Sequence, residues 1–114
     1  MATIVAFSDP GPEPEDGVPG RVLAGAPRTR TRNCYADPTA RFFAGVWEST
    51  PGKWRVEYSE HEFVHLLEGR IVLTDEDGHE RRFGPGDVFV IPAGFTGTWE
   101  TVERVRKLYA IYQP

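Results

Sequence analysis

Residues 84–99, GPGDVFVIPAGFTGTW, carry the pattern on which the reading of the fold turns. A Gly-Pro-Gly turn opens the stretch, a short apolar run follows, and Pro92-Ala93-Gly94 closes it. Five residues separate Gly86 from Pro92, the length of a short strand begun by one tight turn and ended by another. Upstream, EFVHLLEG at 62–69 has a related form: six residues lead from Glu62 to Gly69, which is expected to turn one strand sharply into the next. Asp77-Gly78 lies between the two stretches and is a strong hairpin signal, because glycine accepts positive φ without steric cost.

Outward from these stretches the pattern stays β-like. RFFAGVWE, KWRVEY, EFVHLLE, RIVLTD, ERRF, DVFVI, GTWETV and VRKLYAIY are short segments rich in Val, Ile, Phe, Tyr and Trp, with turn residues between them. No helical period of useful length interrupts them. About eight or more short antiparallel strands in a sandwich or barrel are expected over residues 38–114. Residues 1–37 differ: SDPGPEPEDGVPG is crowded with Pro, Gly and acids, and Arg21, Arg28, Arg30 and Arg32 follow. An extended arm, solvated and lying over the barrel or a partner subunit, is the expectation there.

The chain has 114 residues, 39% of them hydrophobic and 26% charged, which suits one globular domain. The formal net charge is -4, and no basic stripe favours nucleic acid. No apolar run approaches a membrane span. The start lacks the basic and apolar pattern of a secretory signal, and the single cysteine, Cys34, cannot form an internal disulfide. A cytoplasmic protein is the expected reading. Cys34 has no histidine close in sequence, and Asp87 suits a turn better than catalysis.

The two half-motifs in order, with a hairpin between them, resemble the cupin superfamily. The longer matches GVWESTPGKWRVEY, EFVHLLEGRIVLTDEDG, GPGDVFVIPAGFTGTWE and VRKLYAIY look like the small single-domain cupins grouped with the (S)-ureidoglycine aminohydrolase cupin domain. The resemblance covers about residues 38–114 and implies a jelly-roll (RmlC-like) barrel, commonly a homodimer. In a typical cupin, histidines and a glutamate from the two motifs hold a divalent metal. Counted from Glu62, the first-motif histidines fall at Val56 and Tyr58, or at Arg55 and Glu57, and the second-motif histidine falls at Gly97. The aminohydrolase set of glutamate, two histidines and glutamine falls on Val56, Tyr58, Glu62 and Gly97. Glu62 alone matches as a ligand, so the metal site is read as degenerate and no cofactor is expected; a metal, if bound, would be Mn, Fe, Ni or Zn. His61 and Glu62 are adjacent and His65 is three residues from Glu62, so both histidines face away from it in a strand.

Alternation from Glu62 points Val56, Tyr58, Glu62 and Val64 inward. Lys107, Tyr109 and Ile111 share a face, and the resemblance sets Tyr109 at a pocket tyrosine, so that face is assigned inward. Trp99 is expected near the barrel mouth, and Gly97 in place of a ligand histidine is expected to leave volume. Trp47 and Trp54 are expected as core anchors. Glu62 is the sharpest candidate acid or base if it lies in an apolar barrel, with Tyr58, Lys107 and Tyr109 beside it. The alternative is a buried network in which Lys107 neutralises Glu62, or Tyr58 or Tyr109 hydrogen-bonds it. The expected function is a small-molecule-binding cupin. An enzyme resembling ureidoglycine aminohydrolase, or another cupin hydrolase or isomerase acting on a small nitrogenous or carboxylated metabolite, is the alternative. A structural module built for dimerisation is the third reading.

Overall fold

The computed structural model describes residues 2–114. Nine strands follow in chain order: β1 Glu15–Gly17, β2 Val22–Gly25, β3 Thr29–Ala36, β4 Phe42–Ser49, β5 Gly52–Glu57, β6 His61–Asp75, β7 Glu80–Phe83, β8 Val88–Ile91 and β9 Thr96–Tyr112. They form a curled antiparallel sheet, the all-β jelly-roll barrel expected from the turn and strand pattern. Two long strands organise it. One face of the barrel runs β1-β3-β4-β9-β5-β2, and β6 adds β7 and β8 while pairing with β9.

The segments EFVHLLE and RIVLTD are one strand, β6, rather than two joined by a sharp turn. Gly69 sits within it at φ 88°, where the β6–β9 register shifts. A Cβ there would run into the Arg104 carbonyl, so glycine lets the two long strands cross closely while β6 bends. GTWETV and VRKLYAIY likewise merge into β9, whose two halves pair with β5 and β4. A bent continuous strand keeps its backbone hydrogen bonds through the corner, which two strands and a loop would forfeit.

The N-terminal segment is extended, as its composition suggests, but it joins the sheet. β3 pairs with β4 from Thr29↔Ser49 to Ala36↔Phe43, and β2 pairs with β5. Arg32 ties the preceding loop down: its guanidinium donates to the carbonyls of Phe7, Asp9 and Pro12. The core collects Val64, Leu66, Ile71, Leu73, Ile91, Trp54, Trp99 and Val105. In β6 the buried residues Glu62, Val64 and Leu66 alternate with the outward His61, Phe63 and His65. Among the described residues, no helix is long and apolar enough to cross a membrane.

Candidate functional site

A cavity of about 690 Å³ opens between β3, β4, β5, β9 and the start of β6. Strand register builds it. Trp54 on β5 faces Trp99 on β9, and Trp47 on β4 faces Lys107 on β9. The three indoles therefore meet on one inner face. Trp47 meets Trp99 edge-on at 5.4 Å, and Trp54 stacks on Trp99 at 6.3 Å. Offset and edge-on pairs of this kind each add about 0.5–1.5 kcal/mol beyond area burial.

Lys107 stands over these rings. Its ammonium lies 4.5 Å from the Trp47 ring centre and 4.6 Å from that of Trp99. It donates to the Glu62 carboxylate at 2.5 Å. Both side chains are 6% exposed, so this is a buried ion pair. Alternation brings Lys107, Tyr109 and Ile111 to the cavity together, and Val56, Tyr58 and Glu62 complete the inward set there. Tyr109 donates to Asn33 Oδ1 at 2.7 Å. The close approach uses Gly45, which faces Tyr109 across the strands and whose Cβ would meet the Tyr109 hydroxyl at 2.6 Å. Burial pushes the Tyr109 phenol up to about 12, with smaller contributions from Cys34 and Glu62. Burial also pushes the Tyr58 phenol well above its ordinary value, reinforced by the charge of Glu62 and a hydrogen bond to it. Both phenols remain protonated at neutral pH.

Three sequence expectations change. Trp99 is not at the mouth: it is 1% exposed, forms the floor, and sends its indole N–H to Thr101 Oγ1 at 2.9 Å. Gly97 leaves no volume. Its Cβ would collide with the Thr74 carbonyl, so the space beside it is filled by the backbone of β6. Val64 points inward but packs in the core, clear of the cavity wall. The cavity also has walls that the sequence reading placed elsewhere. Asn33 comes from the segment set aside as an arm, and Trp47 and Trp54 line the cavity as well as filling the core.

The metal of typical cupins does not fit this donor set. Val56 and Gly97 supply no donor atom, and the Glu62 carboxylate already holds the Lys107 ammonium. His61 and His79 are exposed, and His65 is half-buried on the outward side of β6. Asp75, Asp77 and His79 form a separate cluster at the β6–β7 turn, with donor atoms within 4.8 Å of one another. The spacing D-x-D-x-H in the sequence could have signalled it. There Asp75 Oδ1 accepts the backbone N–H groups of Asp77 and His79, which is the work of a turn residue. Asp87 does the same in its own turn, accepting from Gly84 N–H at 2.8 Å.

Comparison with known proteins gives a consistent picture. The family model described as the EutQ-like cupin domain matches residues 36–109. A protein of unknown function from Pseudomonas syringae is similar at 31% identity and TM-score 0.76, over 87% of this chain and 43% of that one. The chain thus spans less than half the length of that relative. A Thermotoga maritima protein is similar at 33% identity and TM-score 0.55, over 56% of this chain and 73% of that one. The EutQ protein of Clostridium difficile shares the fold at 16% identity and TM-score 0.68, over 76% of this chain and 64% of that one. No curated protein matches.

Proposed function

The chain belongs to the EutQ-like cupin domain family, and from that membership we propose that it is a cupin that binds a small molecule in its barrel without the metal typical of the superfamily. The observation that carries this reading is the open cavity of about 690 Å³ with a buried lysine–glutamate pair in its wall. An open cavity walled by aromatic groups, with a few fixed polar groups, is the usual form of a small-molecule site. An interior left open also argues against a purely structural module. The Lys107 ammonium gives the Glu62 carboxylate the positive partner that a metal ion would otherwise supply.

Metal content tests the reading first. Elemental analysis of protein purified without tag or chelator is expected to find Mn, Fe, Ni and Zn far below one ion per chain. Stoichiometric metal that resists dialysis would overturn the metal-free assignment.

A second reading is supported by the phenols. Tyr58 and Tyr109 hold protonated hydroxyls beside Glu62 in one cavity, the kind of group a hydrolase or isomerase uses for proton transfer. A reaction of the ureidoglycine aminohydrolase type falls under this reading. Ammonia release from ureidoglycine above the buffer rate, lost in Tyr109→Phe, would favour it; equal rates with and without protein would dismiss it.

For assembly, we propose a cytoplasmic homodimer. Phe63, Val88 and Val90 form an exposed apolar outer face where β6 pairs with β8, a surface that a second copy could cover. Sedimentation of the full chain should give twice the monomer mass, and a monomer at micromolar concentration would dismiss it. Deleting residues 1–37 is not a clean test of the arm, because it removes β3 and the Asn33 wall with it.

A further inference from the structure

The charge of the ligand follows from an accounting of the cavity's polar groups, and this step rests on the binding reading above. Lys107 gives one N–H to Glu62, and its ammonium faces the Trp47 and Trp99 rings. The Trp99 indole N–H goes to Thr101. Tyr109 donates to Asn33. These donors at the cavity base are spent on partners in the wall.

The charges at the rim are spent too. Arg55 reaches Glu76 at 2.6 Å, and Glu57 is held by Arg21 at 2.8 Å. Among the described residues that line the cavity, Glu60 is the charged side chain with no opposite charge at ion-pair distance. It is partly buried. Burial and then the charge of Glu62 push its carboxyl above the ordinary value, so the unpartnered charge is held at a cost. The same cavity is lined by Trp47, Trp54, Tyr58 and Tyr109. Aromatic faces carry negative potential and attract cations. A carboxylate ligand would find no unspent cation here, and it would meet Glu60.

We infer that the cavity takes a small organic cation, an amine or ammonium compound, with its charged group at Glu60 and its apolar part against the indole faces of Trp47 and Trp54. The ligand would supply the counter-charge that the chain withholds from Glu60. A cation held this way keeps an electrostatic component that salt weakens.

Three probes of similar shape and different charge separate the outcomes: benzylammonium, benzyl alcohol and phenylacetate. All three tryptophans of the chain line the cavity, so intrinsic fluorescence reports on occupancy. Benzylammonium is expected to bind at least tenfold more tightly than phenylacetate, and Glu60→Gln should erase that preference while leaving benzyl alcohol unchanged. Phenylacetate or benzyl alcohol binding as tightly as benzylammonium would overturn the cation assignment and leave the binding reading standing. A preference that survives in Glu60→Gln would overturn the role of Glu60. Silence from all three probes up to millimolar concentration would overturn both the cation assignment and the binding reading.

Discussion

Lys107→Met is expected to destabilise the protein by about 3–5 kcal/mol, because it strands the Glu62 carboxylate without its counter-charge. Glu62 is 4% exposed, so water cannot replace the lost ammonium. The same substitution removes a cation from between Trp47 and Trp99, which adds to the loss. The double variant Glu62→Gln/Lys107→Met removes both charges and should recover most of the stability, giving a large coupling in a double-mutant cycle. Urea denaturation of the parent, both single variants and the double variant measures all of this. A single-variant loss under about 1 kcal/mol would mean that the pair is hydrated and is not the fixed cation–carboxylate unit described above.

Gly97→His is the substitution that the superfamily pattern invites, since it puts a ligand histidine back at its motif position. It is expected to damage the fold rather than build a metal site. Even Gly97→Ala drives its Cβ into the Thr74 carbonyl on the adjacent strand. Backbone on both sides of Gly97, paired to Val56 and Asp75, cannot give way as a flexible side chain would. Overpacking in a tight interior costs about 1–3 kcal/mol, and more where the obstacle is backbone. Gly97→Ala should therefore lower the thermal midpoint by several degrees, and Gly97→His should lower it further. A Gly97→His protein that stays as stable as the parent and binds Zn or Ni stoichiometrically would show that the position is an emptied ligand site after all.

Much of the site's facing was legible in the residue pattern. Period-two alternation from Glu62 set Val64 inward and His61 and His65 outward, and the alternation of VRKLYAIY kept Lys107, Tyr109 and Ile111 on one face. The turns at Asp77-Gly78 and Gly86-Asp87 were equally readable, since both demand residues with special backbone freedom; Gly78 and Gly86 have φ of 85° and 89°. Asn33 was not legible as a wall of the cavity. Nothing in TRTRNCYA announces that it will pair along β4, and the Pro- and Gly-rich stretch before it pointed to an arm. Trp99 could be assigned to a strand, but its place at the floor depends on how far β9 has curled by that point.

The sequence by itself determined the all-β architecture, the inward and outward faces of its strands, and the side-chain atoms available at Val56, Tyr58 and Gly97. These are local properties: strand alternation, turn chemistry and the atoms a side chain carries. Only the tertiary structure decided that Glu62 spends its charge on Lys107, that Gly97 lies against the Thr74 carbonyl and leaves no vacancy, and that Glu60 is left unpaired at the rim. Each depends on a contact between strands distant in the chain, such as Glu62 with Lys107 or Gly97 with Thr74. Alternation says which face a residue takes. The bend and twist of β6 and β9 determine which residues on that face meet.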